Sequence, residues 1–213
     1  MKVIALNASP RRDWNTATLL KKALEGAESN GAETDFIQLN DLSYKGCQSC
    51  FGCKTKGSHN YGKCVVRDDL SDVLERIEES HAIILGSPIY LGEVPGMMRN
   101  LMERLLFPRL EYTKSPLLKR VKIKSGHIYT MNVNDERMRQ WLLERLNGYE
   151  SMYGRILGPA ESLFVTDTLQ WEDYSKYVTD GLDEVHKKMV RREKFPKDLE
   201  LVYELGKRLC LQP

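Results

Sequence analysis

Short apolar runs alternate with helical stripes along most of this chain. "KVIALN" (2–7) is apolar almost throughout and reads as a buried strand. The polar loop "ASPRRDWN" follows. Leu20, Ala23, Leu24 and Ala27 then fall at i, i+3, i+4, i+7, one face of a helix that Asn30-Gly31 ends. "ETDFIQL" gives a second strand. A helix opened by "RDD", with Leu70, Val73, Leu74 and Ile77 on one face, leads into a third, "HAIILGS" (81–87). After "PIYLGEVPG" comes a helix whose stripe is Met98, Leu101, Met102 and Leu105; methionines at this spacing read as core rather than as a cofactor lining. "IKSGHIYTM" is strand four, a helix carries Met138, Leu142, Leu146 and Tyr149, and "ESLFVTDTL" (161–169) is strand five. Tyr174, Tyr177, Val178, Gly181, Leu182, Val185 and Met189 mark a further helix. Phe195-Pro196 separates it from a last one ending near Cys210.

This alternation predicts a parallel sheet covered by helices on both faces, with ligands beyond the carboxyl ends of the strands where the winding reverses. The loops after strands one, three and four are therefore the ones to inspect. A single domain over 1–213 is expected, with a cysteine-rich insertion at about 43–67 and C-terminal helices at about 172–210.

Composition narrows the classes. At 41% hydrophobic and 29% charged, the 213 residues are ordinary globular material, enough for one ample core. Runs such as "AIIL" are too short to cross a bilayer, and "MKVIAL" gives way to "NASPRR" without the features of a secretory leader, so neither membrane nor export is expected. A net charge of +2 and a pI of about 8.2 give no concentrated basic face for nucleic acid. The most basic stretch, "HKKMVRREKFPK" (186–197), reads as a solvated helix face. Five cysteines, an odd number without an export signal, point to reduced thiols in the cytoplasm.

Two segments carry candidate chemistry. "NASPRRDWNTAT" (7–18) has neither the G-x-G-x-x-G of a dinucleotide loop nor the G-K-[ST] of a triphosphate loop. It offers Ser9, Arg11, Asn15, Thr16, Thr18 and a helix start, whose free amides and partial positive charge suit a phosphate monoester. The plainer alternative is an N-cap by Asn15 or Thr16 beside an exposed Arg11. The second segment holds Cys47, Cys50, Cys53 and Cys64 in the spacing C-x2-C-x2-C-x10-C, inside a connection of close to thirty residues. Three readings stand: a [4Fe–4S] cluster, a tetrahedral zinc site, or Cys47, Cys50 and Cys53 as small, partly buried thiols along one side of a short helix. Cys210 reads as incidental. His59, His81, His127 and His186 show no metal or triad spacing, and His81 and His127 sit where structural roles are expected.

Three motifs together carry a family resemblance. "SPRRDWNTATLL" resembles the S-P-R-x-x-x-N-T segment of the NADPH-dependent FMN reductases, a branch of the flavodoxin-like superfamily. "GSPIYLGEVPGMMRNLMERL" resembles their second signature, with Arg99 where the pattern has Lys. The segment ending "GKCVVRDDL" resembles that of the iron-sulfur flavoproteins, with a longer gap before the last cysteine. The resemblance covers roughly residues 1–135. It implies a flavodoxin-like, doubly wound, five-stranded parallel α/β sheet of order 2-1-3-4-5. It also implies that Ser9, Arg11, Asn15 and Thr16 hold the FMN phosphate and that Pro88, Ile89, Tyr90, Leu91 and Gly92 pass beside the isoalloxazine. Thr130, Met131 and Asn132, after strand four, are expected to form the third wall. Gly92 and Gly96 permit close backbone approach, and amide donors suit N1 and the C2 carbonyl, where negative charge gathers on reduction. Tyr90 is expected to touch the flavin or its surroundings rather than merely pack at the strand end.

The resemblance further implies NAD(P)H as donor and a small acceptor such as a quinone, a flavin or a nitro compound. With a cluster on the four cysteines, ferredoxin becomes a candidate partner. A homo-oligomer, dimer or tetramer, is expected, because a partner subunit often completes such a pocket. No acid or base is assigned, since hydride transfer needs stacking and exclusion of water. The alternative is a flavodoxin-like electron carrier or redox-sensing module without NAD(P)H turnover.

Overall fold

Alternate residues of β1 (Lys2–Asn7) and β3 (Ala82–Pro88) point to opposite faces, and both sets are buried. Val3, Ala5, Ala82 and Ile84 lie on one side; Ile4, Leu6, Ile83 and Leu85 lie on the other. Strands buried on both faces require a layer of helices on each. The protein, described by a computed structural model over residues 1–114, 117–118 and 122–211, builds that arrangement. β2 (Glu33–Gln38), β1, β3, β4 (Lys124–Thr130) and β5 (Ala160–Val165) lie side by side in that order. Every pairing is parallel. The sheet is thus the doubly wound, flavodoxin-like one expected, and its winding reverses between β1 and β3.

One face is covered by α1 (Asn15–Ser29) and α7 (Phe195–Leu209), which bury Leu20, Ala23, Val202 and Leu205 on it. These two helices meet backbone to backbone. A Cβ on Gly206 would lie 1.8 Å from the Ala23 carbonyl oxygen, so no other residue fits there without moving α1. The opposite face takes α2 (Leu70–Glu78), α3 (Gly96–Leu106), α4 (Asp135–Trp141) and α5 (Leu143–Ile156). Met98, Leu101, Met102 and Leu105 are all buried in that layer, so the methionine stripe is core. Among the described residues no helix is long and apolar enough to cross a membrane.

Three boundaries differ from the pattern. The stripe Met138, Leu142, Leu146, Tyr149 is buried as expected, but the helix is bent at Leu142 (φ −121°) into α4 and α5 while bonds from Leu142 N to Met138 O and from Leu146 N to Leu142 O persist. β5 stops at Val165, four residues early, because Thr166 to Leu169 turn back over the ends of β4 and α1. The helix expected from Tyr174 begins only at Glu184. Residues Tyr174 to Lys176 form a short 3-10 turn, and Asp183 caps α6 (Glu184–Glu193) by accepting from His186 N at 2.9 Å. The two strand histidines are structural. His81 Nδ1 accepts from Lys2 N at 3.0 Å. His127 is enclosed between Ser125, Tyr129 and Tyr153, and burial pushes its imidazole down to about 3.

Candidate functional site

At the carboxyl end of β1 the chain turns into α1 with its amides unused. Extended Trp14 stands at the N-cap, no side chain caps the first turn, and no acidic residue lies in it. The partial positive charge of the helix start is left uncompensated, as an anion site requires. Ser9 is buried: its amide donates to Asn7 Oδ1 at 3.0 Å, and its Oγ accepts from Arg11 N at 3.2 Å. The Arg11 guanidinium lies 4.0 Å over the Trp14 ring and donates to Gln170 O at 2.7 Å. Asn15 and Thr16, both buried, already have side-chain partners. Asn15 Nδ2 donates to Leu169 O at 2.9 Å, its Oδ1 accepts from Arg191, and Thr16 Oγ1 lies 2.9 Å from Thr130 Oγ1. The structure therefore gathers all four residues at one loop. Asn15 and Thr16 brace it, while Arg11 and the helix amides are what it offers an anion.

The loop after β3 supplies a second wall. Ile89 N donates to Thr130 O at 2.9 Å, which holds Pro88 and Ile89 beside β4. Tyr90 and Glu93 exchange backbone bonds of 2.8 and 3.0 Å around a two-residue turn. Its central residues, Leu91 (φ 52°) and Gly92 (φ 82°), are both left-handed, the geometry of a tight primed hairpin turn. Glycine adopts it freely and leucine does not; the side chain of Leu91 is fully exposed, so the two backbone bonds of the turn, not packing, hold it there. Arg145 Nη1 donates to Gly92 O at 3.0 Å and so braces the turn from α5. Gly96 has open space around it rather than a close neighbour.

The third wall follows β4. Thr130 and Met131 are buried, and Met131 N donates to Val165 O at 3.0 Å. Asn132 Oδ1 is buried and has no hydrogen-bond partner among the described residues. A buried acceptor without a donor calls for a ligand N–H. The flavin N3–H is such a donor, and the uncapped start of α1 suits the phosphate of the same cofactor, so the residues present fit FMN.

Several residues at this end had no signal in their spacing. Beyond β5, Asp167 N donates to Val133 O at 2.8 Å, and Thr168 donates to Met131 O through its amide (3.0 Å) and its hydroxyl (3.1 Å). Leu169 O accepts from Trp14 Nε1 at 3.2 Å. Lys187 is only 4% exposed: its Nζ donates to Asn132 O at 2.7 Å and pairs with Asp167. Arg191 lies 3.8 Å over Phe195 and donates to Asn15 Oδ1 at 3.0 Å. The basic stretch is therefore not a solvated face throughout. Lys187 and Arg191, four residues apart on α6, turn inward to the loops after β4 and β1. Burial pushes the Asp167 carboxyl up, but hydrogen bonds from Lys187 and His186 outweigh it and hold it below the usual range. The one sequence signal for this was Asp183, whose cap starts α6 at the residue that aligns the two cations.

Cys47, Cys50 and Cys53 do not lie along a short helix, because only Gly52–Lys54 make a 3-10 turn there and Ser49 and Phe51 are left-handed. Cys47, Cys50, Cys53 and Cys64 instead line one small cavity with Phe51, Val65 and Phe107. α3 is the spine of this region. Glu103 accepts from Cys47 N at 3.1 Å, and Lys54 Nζ donates to the carbonyls of Phe107 (2.6 Å) and Pro108 (3.0 Å). Arg104, with its side chain fully buried, donates from Nε to Cys64 Sγ at 3.3 Å. It also reaches Asp68 at 2.5 Å and the carbonyls of Lys45 and Val66. Gly62 N donates to Cys53 O at 2.8 Å, which folds the ten-residue gap back on itself. Among the described residues no three His, Cys, Asp or Glu side chains converge as a single metal ion requires. A [4Fe–4S] cubane takes one thiolate at each of four separate irons and so does not need that convergence on one point. Burial pushes the Cys53 thiol up, and a cluster would have to offset that.

Comparisons with known proteins bear on the family and the fold. Residues 1–122 match the family described as NADPH-dependent FMN reductase. An iron-sulfur flavoprotein of Methanocaldococcus jannaschii is 40% identical over 104 residues, 49% of this chain and 51% of that one. One from Archaeoglobus fulgidus is 36% identical over 110 residues, 52% and 51% of the two chains. The chain thus spans about half the length of the curated relatives it matches. In fold it is similar to the NAD(P)H:quinone oxidoreductase from Methanothermobacter marburgensis, with a TM-score of 0.71 at 15% identity over 98% of both chains.

Proposed function

The chain belongs to the NADPH-dependent FMN reductase family, and from that premise we propose that it is an FMN-dependent oxidoreductase drawing electrons from NAD(P)H. Its acceptor is a small molecule: a quinone, a flavin or a nitro compound. The observation that carries this assignment is the uncapped, acid-free first turn of α1, set beside Arg11 at the reversal of the sheet. Bound there, FMN would supply the two-electron chemistry that links a nicotinamide donor to the acceptor. The protein's part is placement. Arg11 and the α1 amides hold the phosphate, the turn at 88–92 carries the ring, and Asn132 Oδ1 receives a ring N–H. No side chain has to move a proton, so alignment and exclusion of water supply the rate.

A second centre on Cys47, Cys50, Cys53 and Cys64, a [4Fe–4S] cluster, completes the proposal. Its support is the cavity the four share, the Arg104 contact to Cys64, and the relatives named iron-sulfur flavoproteins. Such a centre passes electrons singly and makes a ferredoxin a suitable partner. The five free thiols suit the reducing cytoplasm. Large apolar side chains left exposed, among them Leu91, Val178 and Val185, support assembly as a dimer or tetramer.

The test is anaerobic purification, iron and sulfide assays, then NADPH oxidation with a quinone. Sustained turnover supports the enzyme. A single reduction per flavin that then stops supports the carrier and overturns the oxidoreductase assignment.

A further inference from the structure

Three consecutive carbonyls of the loop after β4 accept bonds from the segment that follows β5. Met131 O accepts from Thr168 N and Oγ1, Asn132 O from Lys187 Nζ at 2.7 Å, and Val133 O from Asp167 N at 2.8 Å. In a trans peptide the C=O and the following N–H point in opposite directions. The amides of Asn132, Val133 and Asn134 must therefore point away from the C-terminal segment.

The cation behind this loop is unusual. A lysine 4% exposed is rare unless it is paired, and this one is paired with Asp167. Asp167 is itself left-handed, at φ 60°, a conformation that aspartate tolerates and that three contacts fix here. Its amide bond to Val133, its pairing with Lys187 and its 2.5 Å contact with His186 do so. A positive charge at a carbonyl oxygen also polarises the whole peptide group, so the N–H at its other end becomes a stronger donor. For the Asn132 carbonyl that donor is the Val133 amide.

We propose that Lys187, anchored by Asp167 behind the Asn132–Val133 peptide, is a positioning residue for the flavin. It fixes the loop with its amides turned into the crevice, and it strengthens the Val133 N–H toward the edge of the ring where reduction places negative charge. This goes beyond the family match, which ends at residue 122, and it rests on the FMN assignment above.

The experiment measures FMN affinity by flavin-fluorescence quenching of apoprotein, and the midpoint potential of the holoprotein, for the wild type, Lys187→Met, Lys187→Arg and Asp167→Asn. Asparagine tolerates the left-handed backbone, so D167N tests the anchor even if K187M does not fold. K187M and D167N are expected to bind oxidised FMN several-fold more weakly. They should bind the reduced form about tenfold more weakly still, a fall in midpoint of about 30 mV for a two-electron couple. K187R should recover most of both effects. Folded K187M or D167N with unchanged affinity and potential overturns the proposal, and so does an equal loss for both redox forms, which is mere structural damage. Failure of the wild type itself to take up FMN would instead overturn the underlying assignment, and the two failures are told apart by which protein shows them.

Discussion

The flavin crevice and the cysteine pocket flank the two ends of α3, an 11-residue helix about 16 Å long. They are held in different ways. The crevice is framed by main-chain bonds, Ile89 to Thr130, Tyr90 to Glu93, Met131 to Val165 and Val133 to Asp167, above buried strands, with Lys187, Arg191 and Arg145 as added braces. The pocket has little regular structure and is held by side chains: Arg104 reaches from α3 to Cys64 and Asp68, and Lys54 ties the cysteine segment to the carbonyls of Phe107 and Pro108. The frame of the crevice thus comes with the sheet and its cations trim it, whereas the pocket has no such frame and depends on Arg104 and Lys54. Damage to the pocket should leave the crevice intact, and the reverse should not hold, because α3 and its loop both rest on the sheet.

Breaking the sheet side should have the largest effect. Gly206→Val forces a side chain into the Ala23 carbonyl and should lower stability by more than about 4 kcal/mol in urea unfolding, with both FMN and iron content lost. On the pocket side, Arg104→Met takes the guanidinium from Asp68, which keeps the Lys45 and Leu70 amides, and from the carbonyls of Lys45 and Val66. It should cost about 3 kcal/mol and most of the bound iron while FMN affinity stays within about twofold. Equal loss of FMN would erase the distinction between the two regions.

Acid probes the sheet alone through His127. Its folded pKa of about 3 lies below the ordinary 6.5, so between those values the unfolded chain binds a proton that the folded chain refuses. Stability should therefore fall as pH drops, by about 2 kcal/mol from pH 7 to pH 5 for this residue. His127→Gln should flatten that part of the profile, and an unchanged slope would show the imidazole is not held neutral. The smallest change is expected from Arg11→Ala. It removes one charge-assisted contact and should weaken FMN binding by about 1.5–2 kcal/mol, roughly 10- to 30-fold, without altering iron content.

What could be read from the chain divides along similar lines. β1, α1, β3 and α3 were legible because a residue such as Ile84 or Leu101 is placed by periodicity alone. Ser9, Arg11, Asn15 and Thr16 were legible as a group because they follow the first strand of a doubly wound pattern. Their division of labour was not, since Asn15 is braced by Arg191, 176 residues away. The apolar spacing from Tyr174 to Met189 misled, because Val178 (98% exposed) and Val185 (79% exposed) do not pack against the fold. Cys47 to Cys64 announced chemistry, but Arg104 sits off the apolar stripe of α3, and nothing in its spacing marked it as the buried clamp.

The most direct test of the central claim compares FMN with riboflavin, which lacks only the phosphate, by fluorescence titration of the apoprotein. The structure predicts one FMN per chain and at least about 100-fold weaker riboflavin binding, in line with about 3 kcal/mol from an anion held by a guanidinium and a helix start. Equal affinity for the two, or no uptake of either by folded protein, would contradict the claim that this loop grips a flavin by its phosphate.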